Sequence, residues 1–215
     1  MKYNYVIFDF DGTLFDSRKG IVSSIKYALD YMKIPVPSNE VLTSFIGPPL
    51  LKTFQNHFGL SEADSIKALT KLRDYYSEKG VFDSEPYAGI LELLEKLNKN
   101  EIPIAIATAK PTYYANQILE YNKWQHLFKT VRGSDMNSEL FPKSRTISEA
   151  MADLSISQYN NVVMVGDTIY DIKGASECNI ASIAVNYGYG KKQDLKDAKP
   201  THFVESVAEL ANLLV

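Results

Sequence analysis

The chain is 215 residues long, with 23 lysines and arginines against 26 aspartates and glutamates and a net charge of -3. That balance offers no basic surplus for a nucleic-acid backbone, and the length admits one large domain or a domain carrying an insertion. The single cysteine, Cys178, excludes an intrachain disulfide and a thiol metal site, which fits a reducing compartment.

The first element is the run Tyr5-Val6-Ile7-Phe8-Asp9-Phe10, short, aromatic and β-branched, followed by Asp11-Gly12-Thr13. It reads as a buried strand that ends in a loop. The acids in and after it exclude a signal-peptide core, and no run approaches membrane-spanning length, so the expectation is a cytoplasmic protein with no membrane partner. From Asp16 to Glu85 the pattern is helical. Ile21, Val22, Ile25, Leu29 and Met32 mark one amphipathic helix, stopped by Pro35 and Pro37. A second runs from about Pro48 to Phe58, with Gly59 as its stop. A third begins at Ser61, whose spacing to Asp64 resembles a capping box, and carries Ile66, Leu69, Leu72 and Tyr76. Residues 16–85 are therefore expected to form a helical insertion, and residues 1–15 with 86–215 the core.

Beyond Pro86, helical patterns at Gly89 to Leu97, Pro111 to Leu119, Ser144 to Leu154 and Asp171 to Cys178 alternate with apolar runs. Those runs are Ile104 to Thr108, Val162 to Asp167 and Ser182 to Val185. Strands apolar on both faces belong to a parallel sheet covered by helices on each side, so the fold class is α/β, a doubly wound parallel sheet. Ligands of such sheets sit at the C-terminal strand ends, where Asp9, Thr108 and Asp167 fall.

Asp9 and Asp11 are two positions apart, so in an extended chain both side chains point the same way. Close carboxylates repel, and a site that keeps both ionised supplies a cation; an all-oxygen ligand set suits Mg²⁺. Gly12 and Thr13 can aim backbone N–H groups at an anion, as in a phosphate nest. Taken singly, each residue has an ordinary structural explanation. Asp11-Gly12 makes a turn, Thr108 ends a strand, Lys143 is a solvated lysine, and Asp167 and Asp171 cap and charge a helix start.

The string Asp9-Phe10-Asp11-Gly12-Thr13-Leu14-Phe15-Asp16 matches DxDGTLxD, the first signature of the haloacid dehalogenase superfamily, at every fixed position. The chain resembles that superfamily along essentially its whole length. Thr108 is similar to its second signature and Lys143 to its third, with Arg145 or Lys129 as substitutes. Gly166-Asp167-Thr168-Ile169-Tyr170-Asp171 resembles its fourth, GDxxxD. There are departures: Ala109 stands where an Asn often follows the hydroxyl residue, and Ser144 rather than Pro follows Lys143.

The resemblance implies a Rossmann-like core with a helical cap and a Mg²⁺-dependent phosphatase. In that scheme Asp9 is the nucleophile and Asp11 the acid and base. The metal is held by Asp9, the Asp11 carbonyl and Asp167, with Asp171 in support. Phosphate is held by Thr108, Lys143 and the amides near Gly12 and Thr13, beside Ala109. The segment Phe45-Ile46-Gly47-Pro48-Pro49-Leu50 resembles the cap turn of bacterial 5'-nucleotidase-like and phosphoglycolate-phosphatase-like members, which places Gly47, Pro48 and Lys52 toward the substrate. The implied partner is a small phosphate ester, a nucleoside 5'-monophosphate ahead of phosphoglycolate, on a monomer or weak homo-oligomer. Asp11 argues against a dehalogenase. A phosphosugar mutase would keep both acids and transfer the group to a sugar, and a non-catalytic module would keep the fold and only bind phosphate. His57, His126 and His202 have no metal-ligand spacing, Cys178 and Trp124 read as packing residues, and Gly188-Tyr189-Gly190 as a loop bordering the site.

Overall fold

In chain order the strands of the computed structural model are β1 (Tyr5–Phe8), β2 (Phe15–Asp16), β3 (Glu85–Pro86), β4 (Ile104–Pro111), β5 (Thr130–Ser134), β6 (Val162–Gly166), β7 (Ala181–Val185) and β8 (His202–Val204). The α-helices are α1 (Arg18–Tyr31), α2 (Asn39–Thr43), α3 (Leu50–Phe58), α4 (Glu62–Glu78), α5 (Ile90–Lys99), α6 (Thr112–Tyr121), α7 (Lys143–Asp153), α8 (Ile169–Glu177), α9 (Lys192–Asp197) and α10 (Val207–Leu214). The structure describes residues 3–48, 50–135 and 142–215, so Pro49 of the expected cap turn lies outside the described residues. Two compact units are present: residues 1–16 with 86–215, and residues 17–85.

The larger unit is built on a six-stranded sheet in the order β5-β4-β1-β6-β7-β8, with each neighbouring pair parallel. The central strands are apolar on both faces because both faces are covered. Alternation sorts their side chains: Ile7, Ala105, Ala107, Val162 and Met164 join Ile147, Ala150 and Met151 of α7 and Ala175 of α8 in one buried cluster. Val6, Phe8, Val163 and Val165, one step out of phase, are equally buried. The fold is the expected doubly wound α/β sheet.

From β1 the order runs outward through β4 to β5, returns to β6 on the other side of β1, and runs outward again to β7 and β8. The C-terminal ends of β1 and β6 therefore flank the point where the order reverses, the usual seat of a ligand in such sheets. The register there is set by pairing of Phe8 with Val165 and by the Asp9 N–H, which donates to the Val165 carbonyl at 2.8 Å.

Several boundaries differ from the sequence expectation. β4 continues past Thr108 to Pro111, with a register shift against β5 between Ala107 and Pro111. β5 and β8 were not expected: β5 is only half-buried and reads Thr-Val-Arg-Gly-Ser, and β8 is three residues long, so neither carries an apolar run. In the smaller unit α1 ends before its expected prolines. Lys33 turns left-handed at φ 58° and the Ile34 N–H returns to the Leu29 carbonyl at 2.9 Å, closing the helix by backbone bonds. α3 and α4 follow their expected signals, Gly59 at φ 67° after α3 and Ser61 accepting the Asp64 N–H at 3.1 Å. The short α2 was not foreseen; Ser38 caps it. Among the described residues no helix is long and apolar enough to cross a membrane.

Candidate active site

Asp9 follows β1 directly, and its side chain is held at the reversal point of the sheet by the β1–β6 register. Asp167 follows β6, and Asp171 lies in the first turn of α8. One carboxylate oxygen from each of the three lies within 4.8 Å of the others, and all three residues are buried. At that separation two unit charges repel by about 3 kcal/mol or more at an effective dielectric near 20. Burial, with the charges of Asp171 and Asp9 adding to it, accordingly pushes the Asp167 carboxyl well above the usual carboxylate range. Burial also raises the Asp171 carboxyl, although the Lys143 ammonium pulls the other way.

Lys143 is the first residue of α7, a place where the helix dipole disfavours a cation. Its ammonium nevertheless lies 2.7 Å from Asp9 Oδ1 and 2.7 Å from Asp171 Oδ1, with the side chain 6% exposed. Burial alone would lower its pKa; the charges of Asp171 and Asp9 outweigh that and raise it. Of the substitutes, Arg145 pairs with Glu149 at 2.9 Å and Lys129 is exposed.

One ammonium does not balance three carboxylates. Asp9 Oδ1 and Asp171 Oδ1 are both buried and share the one Lys143 ammonium, each at 2.7 Å. Three hard oxygen donors facing one ammonium fit a divalent metal cation. Asp171 also closes the start of α8, its Oδ2 accepting from the Thr168 N–H at 3.0 Å and the Thr168 hydroxyl at 2.8 Å. Thr168, not Asp167, is thus the helix cap, and Asp167 is left to the cluster.

The loop after β1 packs onto Asp167. Gly12 has φ 84°, and a Cβ there would fall 2.2 Å from Asp167 Oδ2, so only glycine fits. The Thr13 hydroxyl donates to Asp167 Oδ1 at 3.3 Å. The Gly12 N–H is used by the Phe15 carbonyl at 2.8 Å and the Thr13 N–H by the Phe10 carbonyl at 3.3 Å. What these two residues give the site is therefore contact with Asp167 rather than two open amides.

Thr108 is buried near the end of β4, and its Oγ1 accepts the Lys110 N–H at 3.2 Å. Ala109 between them is exposed, its carbonyl accepting from the Ser134 hydroxyl at 3.0 Å. Asp11 does not join the triad: its two carboxylate oxygens lie 2.9 and 3.1 Å from the Lys110 ammonium. Gly47, at φ 102°, and Pro48 occupy the bend between α2 and α3 in the smaller unit.

Two contributors carry no strong sequence signal. Lys110 is one, although a basic residue at the end of a buried parallel strand is a usable cue. The other is the loop after β7, where the Tyr189 N–H donates to Asp167 Oδ2 at 2.8 Å and the Tyr189 hydroxyl to Asp16 Oδ1 at 2.9 Å. Tyr187 donates to the Thr13 carbonyl at 3.1 Å. Burial raises both phenols, which keeps them neutral donors. Gly188-Tyr189-Gly190 does border the carboxylates, on the Asp167 side.

Known proteins match the chain over nearly its whole length. The family model of haloacid dehalogenase-like hydrolases matches residues 6–185. A 5'-nucleotidase from Pseudomonas aeruginosa is 33% identical over 100% of this chain and 96% of its own. The tyrosine-protein kinase PtkA of Mycobacterium tuberculosis is 34% identical over 97% of this chain and 70% of that protein. A solved structure, a predicted phosphatase from Clostridium acetobutylicum, is 39% identical, covers 100% of this chain and 99% of its own, and superposes with a TM-score of 0.93.

Proposed function

Since this chain belongs to the haloacid dehalogenase-like hydrolases and is a phosphatase among them, we propose that it hydrolyses small phosphate monoesters through a phosphoryl group carried on Asp9. Mg²⁺ is the metal, and a nucleoside 5'-monophosphate is the preferred substrate. The observation that carries the reading is the buried Asp9–Asp167–Asp171 triad, bridged by Lys143, at the reversal point of the sheet.

An Asp9 oxygen attacks phosphorus, the P–O bond to the alcohol breaks, and Asp11 protonates the departing oxygen. Asp11 then takes a proton from the water that attacks the aspartyl-phosphate, which breaks the P–O bond to Asp9 and releases inorganic phosphate. Lys143 offsets the charge of nucleophile and phosphate, and Thr108 offers its hydroxyl to a phosphate oxygen. Asp9, Asp167 and the Asp11 carbonyl would hold Mg²⁺, with Asp171 in support, and when bound it supplies charge neutralisation that lets an anionic ester approach three carboxylates. Residues 17–85 act as the cap, excluding water and supplying contacts to the leaving group through Gly47, Pro48 and Lys52.

The nucleotide preference is supported by the Gly47-Pro48 bend and by the P. aeruginosa relative. Phosphoglycolate is the second candidate. A panel of nucleoside 5'-monophosphates, phosphoglycolate and sugar phosphates, assayed for phosphate release with Mg²⁺, ranks them by kcat/KM. Metal-stripped enzyme in excess chelator should release none, and Ca²⁺ should restore little because its looser coordination displaces the reacting atoms. Full activity in chelator rejects the metal. Alcohol formed without matching phosphate would mean transfer to another acceptor, the outcome that the kinase-named relative makes worth measuring.

A further inference from the structure

Lys110 has a place in this site that neither its neighbours in sequence nor the signatures assign. Its side chain is 4% exposed, and its ammonium touches both carboxylate oxygens of Asp11, whose side chain is 16% exposed. Lysine is rarely buried unless paired, and a buried ammonium left alone is costly. The same residue donates its backbone N–H to the Thr108 hydroxyl. One residue thus links the hydroxyl on β4 to the second acid after β1.

The segment that presents it has little room to move. It sits in the register shift between Ala107 and Pro111, and a Cβ on Gly133 of β5 would fall 2.3 Å from the Lys110 carbonyl. Asp11, by contrast, has a route to water, its side chain being 16% exposed. A charge-assisted pair to a rigid strand end is what holds its carboxylate in one place.

We propose that Lys110 is a positioning residue for Asp11: its ammonium fixes the carboxylate that exchanges protons with the leaving group and with water, and it does not itself bind the substrate. The inference rests on the reading of Asp11 as acid and base. A lysine that bound the phosphate instead would act on KM and would do so whatever stood at position 11. A lysine that served only packing would lower activity independently of Asp11.

The test is a double-mutant cycle on the full chain with Mg²⁺, using p-nitrophenyl phosphate and a primary alkyl phosphate as substrates. Lys110→Met should lower kcat about tenfold or more with KM changed less than about twofold, and in an Asp11→Asn background it should cost less than about twofold further. Lys110→Gln, which keeps a donor but not the charge, should show the same loss in smaller measure and takes the place of the Met variant if that one does not fold. Losses that multiply in the Asp11→Asn background, or that fall on KM alone, overturn the proposal and leave Asp11 in its role. An Asp11→Asn enzyme as fast as the wild type on the alkyl ester removes the acid and base reading, and the proposal with it.

Discussion

Asp9 and Asp11 stand two residues apart, yet their surroundings separate them. Asp9 faces Lys143 and the buried acids, whereas Asp11 faces Lys110 near the surface. That division is what lets two carboxylates do different work. Asp9→Asn is nearly isosteric and deletes the nucleophilic charge, so phosphate release should fall to background while circular dichroism and thermal unfolding stay close to wild type. Turnover in that variant would rule out Asp9 as nucleophile. Asp11→Asn should slow the reaction by about 10²- to 10⁴-fold, with the greatest loss on alkyl esters that need a proton to depart. A uniform loss across leaving groups would contradict the acid role.

At the scale of elements, the triad depends on loops that press backbone against Asp167. The loop after β7 is held there by the Tyr189 N–H and by the absence of side chains: a Cβ on Gly190 would lie 1.9 Å from the Asp167 carbonyl oxygen. Gly190→Ala must therefore displace the loop, at a cost of about 1–3 kcal/mol as for other overpacked sites. For a chain of this size each kcal/mol lowers Tm by about 2–4 °C. Thermal melts should show that loss together with a higher Mg²⁺ concentration for half-maximal activity. An unchanged Tm would mean that the loop adapts freely and does not brace Asp167.

For the whole molecule, the question is what residues 17–85 contribute to a reaction whose proposed nucleophile, acid and metal-holding carboxylates, Asp9, Asp11, Asp167 and Asp171, all lie in the other unit. If the Gly47 bend faces the leaving group, Gly47→Val should reduce kcat/KM strongly for a nucleoside 5'-monophosphate and much less for a very small ester, because the added methyl groups take leaving-group space. Gly47 has φ 102°, so the variant also strains the backbone, and its folding must be checked by thermal melt. Equal losses on both substrates in a folded variant would assign Gly47 to packing or closure and would remove support for the nucleotide preference.

The sequence by itself determined the doubly wound sheet, because β1, β4, β6 and β7 are buried on both faces and so read as unbroken apolar runs. The resemblance to the family signatures also singled out Asp9, Thr108, Lys143, Asp167 and Asp171, because those signatures are visible without coordinates. β5 and β8 were not legible, since short, half-buried strands carry no apolar periodicity. The end of α1 was misread at its prolines because a left-handed Lys33 has no signature in a lysine's identity. Only the tertiary structure decided that Lys110 serves Asp11 and that Lys143 serves Asp171 as well as Asp9. Lys110 reaches Asp11 from the neighbouring strand β4 and Lys143 reaches Asp9 from the start of α7, and a pairing between residues distant in sequence depends on strand order and register, which local pattern does not encode.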